Sequence, residues 1–189
     1  SFGDTAAFST MYRKTLTAGA SGGVVYSKNE DTYKQILAHA DRGKQTWRKD
    51  LNQNDPGQGL FPALNFNTDE FSCAIGIASL RKLQQNIDAR NNFIKILKEK
   101  LQASTLEAIK MYPFHEGFSP FYHPIFVDTT QLNCTKIEFA EALLAEGIPN
   151  NTHYGCVISS WEYAKKFMKD DFVARNAEDV RDRSFNLFL

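Results

Sequence analysis

A mixed α/β fold, an open sheet covered by helices, is what this sequence predicts, on three observations. The chain opens with two short apolar strands around a glycine-rich turn. One long apolar stripe at helical spacing follows. Beyond it, short strands alternate with helices that begin on capping signals. At 42% hydrophobic, with 15 Phe, 7 Tyr and 2 Trp, the 189 residues carry ample material for a buried core, as one domain or a large-plus-small pair.

Taken in order, Thr5-Ala6-Ala7-Phe8-Ser9 reads as a strand and Gly23-Val24-Val25-Tyr26-Ser27 as its partner. Asp31 to Arg42 reads as a helix with Tyr33, Ile36, Leu37 and Ala40 inward and Gly43 as its stop. Residues 43–65 lack periodicity and form a connection longer than about 15 residues, the length of a functional loop or a disordered one. Trp47, Phe61 and Leu64 point to its partial burial. Asn67 and Glu70 make a capping-box start to a long helix, whose stripe of Leu80, Leu83, Ile87, Ile94, Leu97 and Leu101 is a core seam. Ala108 to Tyr112 and Tyr122 to Val127 read as strands, the second at an edge because Pro124 cannot donate to a ladder. Thr135 and Glu138 box the start of a helix that Gly147 closes, with Phe139, Ala140, Leu143 and Leu144 inward. Ser159 and Glu162 repeat the device before Trp161 to Met168.

Several function classes are disfavoured. Lys+Arg and Asp+Glu are equal at 22 each and scattered, so no field recruits nucleic acid or an anionic membrane. No apolar run approaches about 18 residues, which predicts no membrane span, and no charged-then-apolar leader is visible. Cys73, Cys134 and Cys156 are odd in number and far apart, which suggests reduced thiols in a cytoplasmic protein. With His39, His115 and His123 they show no ligand spacing, so no metal site is predicted. Gly19-Ala20-Ser21-Gly22-Gly23 lacks the Gly-Lys-Ser/Thr ending of a nucleotide-triphosphate loop and reads as a tight turn.

One residue stands out for chemistry. Lys14 projects from the segment joining the two opening strands, and an amine held this way can form a Schiff base with an aldehyde. From spacing alone it reads as a surface lysine in a hairpin loop. The surrounding motifs change that reading. Gly3-Asp4, Phe8-Ser9, Lys14, Gly19 and Gly22-Gly23 follow the lysine segment of the DegT/StrS-type sugar aminotransferases. Leu64-Asn65-Phe66-Asn67-Thr68-Asp69-Glu70, then Ala74-Ile75-Gly76 and Leu80, is similar to that family's N-[YF]-R-x-x-E…A-A-x-G…L signature. Gly147-Ile148-Pro149…His153-Tyr154 resembles its G-I-x…H-Y segment. Three ordered blocks over some 150 residues resemble one family, and the likeness covers nearly the whole chain.

That resemblance implies the C-terminal part of an aspartate-aminotransferase-like (fold type I) enzyme that uses pyridoxal 5'-phosphate. Residues 1–66 would be a remnant of the large cofactor-binding domain, 67–101 a linking helix, and 102–189 the small α/β domain. The chain opens Ser-Phe-Gly-Asp and closes on the apolar Arg183 to Leu189, so a fragment cut at both ends, inactive alone, is expected. The aspartate that meets the cofactor's pyridine nitrogen would lie upstream. Lys14 aligns with the Schiff-base lysine, Ser9 with a serine that bonds the cofactor phosphate, and Asn65 with an asparagine that reaches the phosphate of the partner subunit in a homodimer. Tyr12 and the pair His153-Tyr154 are weaker candidates near the substrate, the pair serving equally well in small-domain packing. Asn67 departs from the family's arginine and removes a bidentate anion clamp. The activity implied is amino transfer, from glutamate, onto a nucleotide-linked keto-sugar for polysaccharide synthesis. Relatives with histidine in place of the lysine are dehydratases. A dehydratase or epimerase and a non-catalytic relative are the alternatives.

Overall fold

The computed structural model describes residues 3–113, 115 and 117–189. Ser1 and Phe2, the expected opening of the fragment, lie outside the described residues. The chain divides into two compact units, 1–86 and 87–189, and the division falls inside one helix.

In the first unit, β1 (Thr5–Ser9) and β2 (Gly23–Ser27) pair antiparallel, with Thr5 opposite Ser27 and Ser9 opposite Gly23. Helix α1 (Glu30–Ala40) starts where Asn29 Oδ1 accepts the Thr32 N–H at 2.8 Å, and Glu30 and Asp31 suit the positive end of its dipole. Gly43 closes it at φ 75°, its N–H donating to Ala38 O at 2.8 Å. The buried residue of α1 is Ala38, whereas Tyr33, expected inward, is exposed. The connection after α1 is held at both ends rather than loose: Leu60 N–H donates to Gly43 O, Arg42 N–H to Leu64 O, and Phe66 N–H to Ala40 O. Trp47 and Phe61 are half-buried as expected, and Phe61 meets the His39 ring at 4.4 Å. Leu64 is not; its backbone is spent on Arg42 while its side chain stays 68% exposed.

Helix α2 (Glu70–Gln102) runs unbroken through the division. Its cap is Asp69, not Asn67. The Asp69 carboxylate accepts from Ser72 N–H at 2.8 Å and from Ser72 Oγ–H at 2.7 Å, while the Asn67 side chain is engaged by Asp41. The expected seam holds from Leu83 onward, with Ile94 fully buried. Leu80 is exposed, because the unit packs on a neighbouring row of α2.

The second unit is a four-stranded antiparallel sheet, ordered β3 (Ile109–Met111), β4 (Tyr122–Val127), β6 (Ser184–Phe188), β5 (Asn150–Asn151). Period-two alternation places His123, Ile125 and Val127 of β4 on one buried face beside Phe185 and Leu187. Ala140 of α3 (Lys136–Ala145) packs on that face, flanked by Leu97, Phe139 and Leu143. Leu144, expected inward, is exposed. The Thr135–Glu138 capping box is present in both directions, and Gly147 sits at φ 86°.

Two strand and cap expectations are corrected. β4 is a central strand, although it contains proline. In an antiparallel ladder a residue's N–H and C=O point to the same neighbour. Pro124 O accepts from Tyr112 N–H, so its missing donor faces the spot where β3 has already ended, not β6. Ser159 caps no helix; its hydroxyl accepts from Ala174 N–H at 3.2 Å, and the segment forms a short 3₁₀ turn, Ile158–Ser160, before a one-turn helix α4 (Glu162–Lys165). Helix α5 (Arg175–Arg183), which periodicity does not announce, feeds directly into β6.

Candidate functional site

The lysine segment is built from the hairpin outward. Beyond β1 the pairing continues loosely, Thr10 N–H donating to Gly22 O at 2.9 Å and Tyr12 N–H to Ala20 O at 3.4 Å. The chain then turns back on itself: Lys14 N–H donates to Met11 O at 2.8 Å and Ala18 N–H to Thr10 O at 2.8 Å. Thr10 and Ala18 are buried, Lys14 is half-buried, and Ser9 and Tyr12 are exposed. Gly19 at φ 89° takes a backbone conformation that side chains resist.

Helix α2 braces this loop through Gly76 of the second motif block and through Ser72 and Ser79, which no motif marks. Ser79 Oγ accepts the Thr17 N–H at 3.1 Å. A Cβ on Gly76 would lie 3.3 Å from Ala18 Cβ, and one on Gly19 would lie 3.1 Å from Ser72 Oγ. Ser72, Gly76 and Ser79 follow steps of four and three, so they form one stripe of the helix. That spacing of small residues was the available signal. It lets the lysine loop approach the helix backbone closely.

Ser9 ends β1 and leads into the braced turn that carries Tyr12 and Lys14. Ser9 Oγ accepts from Met11 N–H at 3.4 Å, and the Tyr12 ring lies 5.2 Å from the Arg13 guanidinium. Asn65 is placed at an isolated bridge opposite Asp41, with its Oδ1 accepting from Asn67 N–H at 3.2 Å. The Asp41 carboxyl is held below its usual range chiefly by Arg42, with Asn67 adding a further hydrogen bond.

His153 and Tyr154 belong to the second unit. His153 N–H donates to Asn151 Oδ1 at 3.2 Å, and its Nδ1 lies 3.2 Å from the ammonium of Lys136. The Tyr154 ring lies 6.2 Å from that of Tyr122, and its hydroxyl is held above the usual phenol range chiefly by a hydrogen bond with Cys156. Both site residues are exposed. Among the described residues, no group of three or more His, Cys, Asp or Glu is placed to hold a metal, and no helix is long and apolar enough to cross a membrane.

The braced turn carries a half-buried lysine on a mixed α/β chain. Fold type I enzymes share the architecture. A GDP-4-keto-6-deoxymannose-3-dehydratase, solved with a trapped PLP-glutamate geminal diamine, matches all of this chain and 51% of its own at a TM-score of 0.79 and 19% identity. A DegT DnrJ EryC1 StrS aminotransferase from Brucella abortus matches all of this chain and 46% of its own at 0.80 and 18%. The model of the DegT/DnrJ/EryC1/StrS aminotransferase family matches residues 1–189, and the chain belongs to that family. Among curated relatives, a UDP-4-amino-4,6-dideoxy-N-acetyl-beta-L-altrosamine transaminase of Campylobacter jejuni is 27% identical over 137 residues, 70% of this chain and 34% of the relative. An uncharacterized protein of Methanocaldococcus jannaschii is 26% identical over 196 residues, 98% of this chain and 48% of the relative. The chain spans between a third and a half of the length of these curated relatives.

Proposed function

We propose that this chain is the lysine-bearing part of a pyridoxal-phosphate aminotransferase that moves an amino group from glutamate onto a nucleotide-linked keto-sugar. In this reading residues 1–66 belong to the large domain, 67–101 to the linking helix and 102–189 to the small domain of a cytoplasmic homodimer. The observation that carries it is Lys14, half-buried in a turn pinned to α2 within a family match over 1–189.

The donor set fits the cofactor. Lys14 offers a primary amine to an aldehyde. Ser9 already accepts a backbone N–H, which leaves its hydroxyl proton for an anion. Asn65 uses Oδ1 on Asn67, which leaves its amide N–H groups to donate to a phosphate oxygen from across a dimer interface. When bound, pyridoxal phosphate supplies the aldehyde and the electron-withdrawing ring that make a donor's amino-carbon proton removable. Lys14 would hold the cofactor through its aldehyde, and its Nζ would carry a proton during the transfer. Tyr12, His153 and Tyr154 are the residues proposed to touch the sugar.

The test is borohydride reduction of the intact protein loaded with cofactor. The absorption band is expected to vanish and the label to appear on Lys14, and Lys14→Ala to abolish both. Glutamate should convert the cofactor to its amine form. The solved dehydratase of the same fold motivates a second reading, sugar dehydration, which predicts the Lys14 label without amination of a keto-sugar. Absence of label on Lys14 would remove both readings in favour of a non-catalytic relative.

A further inference from the structure

Lys136 is an improbable residue for its position. It is the first residue of α3, where the helix dipole is positive and disfavours a cation. It is also only 4% exposed, and long ammonium side chains are seldom buried unless paired. No carboxylate is within ion-pair distance of it among the described residues. Asp182, the acidic group whose charge acts on it, is committed to Arg181, with Nε to Oδ1 at 2.8 Å. What holds the Lys136 ammonium is neutral: Thr152 O accepts at 2.7 Å, and His153 Nδ1 lies at 3.2 Å. Burying a cation for two neutral acceptors is a net cost to folding, so stability does not account for it.

Its geometry does. An ammonium carries three donors and no acceptor, so Nδ1 of His153 must accept. The neutral ring's proton is then on Nε2. The Thr152 bond fixes the adjoining peptide, and Asn151 Oδ1 fixes the His153 N–H at 3.2 Å, so backbone and ring are held together. His153 is exposed, and Nε2 is the ring nitrogen that Lys136 does not engage. The groups around it are Lys136, Asp182 and, through Asp182, Arg181. Burial also pulls the Lys136 ammonium below its ordinary range, the mark of a desolvated cation.

We propose that Lys136 is a positioning residue that clamps Nδ1 of His153 as an acceptor, so that the ring presents an N–H donor from Nε2 to a hydroxyl or keto oxygen of the sugar substrate. The substrate half of this statement rests on the function proposed above; the clamp does not.

The two halves are separated by two measurements on the intact protein. Nitrogen-15 spectra of labelled histidine, with His153 assigned by His153→Gln, should show an unprotonated Nδ1 and a protonated Nε2. In Lys136→Met the two signals should move toward a mixture of tautomers, and Lys136→Arg should keep the original pattern. A protonated Nδ1 in the unaltered protein, or a pattern that Lys136→Met leaves alone, overturns the clamp. The unaltered protein and the arginine variant decide the question even where the methionine variant does not fold. In steady-state kinetics Lys136→Met should raise KM for the nucleotide-linked keto-sugar about tenfold, the worth of one well-placed hydrogen bond, with KM for glutamate unchanged. A confirmed clamp with an unchanged sugar KM, in protein whose Lys14 carries the borohydride label, overturns the substrate role of His153; absence of that label overturns the proposed function and leaves the tautomer result standing.

Discussion

Removing the hydroxyl of Ser79 tests whether α2 holds the lysine turn in place. Ser79 Oγ is the acceptor for Thr17 N–H at 3.1 Å, three residues beyond Lys14, and both residues are half-buried. A fully buried donor left without a partner costs about 1–3 kcal/mol, and partial access of water brings this site to the lower end, about 1 kcal/mol. The Thr17 hydroxyl already donates to Gly19 O at 3.3 Å and does not replace the lost acceptor. If the turn opens locally, that energy appears as weaker cofactor retention, about fivefold. Ser79→Ala is therefore expected to lower the urea midpoint slightly and to weaken pyridoxal-phosphate binding about fivefold, measured by absorbance titration. Ser79→Thr keeps the hydroxyl and should do neither. Full retention of both quantities in Ser79→Ala would falsify the bracing argument, as would an equal loss in Ser79→Thr.

The remaining predictions concern the scaffold. Gly43→Ala places a Cβ 2.0 Å from Phe61 O at a residue with φ 75°. The left-handed conformation and the forced backbone shift together cost about 2–5 kcal/mol, so thermal unfolding should begin well below that of the unaltered protein; an unchanged melting temperature would sink the assignment of this turn. His123 is 1% exposed, and among the described residues its ring has only a loose backbone approach from Tyr112, so burial pulls the imidazolium below its ordinary range. Below about pH 6.5 the unfolded chain therefore binds a proton that the folded chain refuses, and stability falls with falling pH. His123→Phe should flatten that slope in urea titrations at several pH values; an unchanged slope would show that another group sets it.

The elements that read most clearly from sequence are those governed by local chemistry. β1 and β2 end at Ser9 and Ser27 as expected, and the Thr135–Glu138 box opens α3, because both signals act within a few residues. The misplaced features share another cause. Asn67 and Ser159 have the residue type of a cap but bond to Asp41 and Ala174, partners that no local pattern names. Pro124 reads as an edge residue until the ladder shows that its missing donor faces the end of β3. Leu64 and Leu80 look like core residues by type, but each lies on a face that its own unit leaves exposed.

Amino-acid order alone placed the groups on which the proposed chemistry rests. A lysine between two short strands, a serine five residues before it and the spaced family blocks are covalent facts of the chain, independent of how it packs. Folding decided what surrounds those groups. The stripe of Ser72, Gly76 and Ser79 meets the lysine turn only because α2 lies alongside it. Lys136 reaches His153 only because α3 and the end of β5 are brought together across the sheet. Hydrogen bonds between residues 17 and 62 positions apart in sequence depend on that closure, and no periodicity along the chain encodes them.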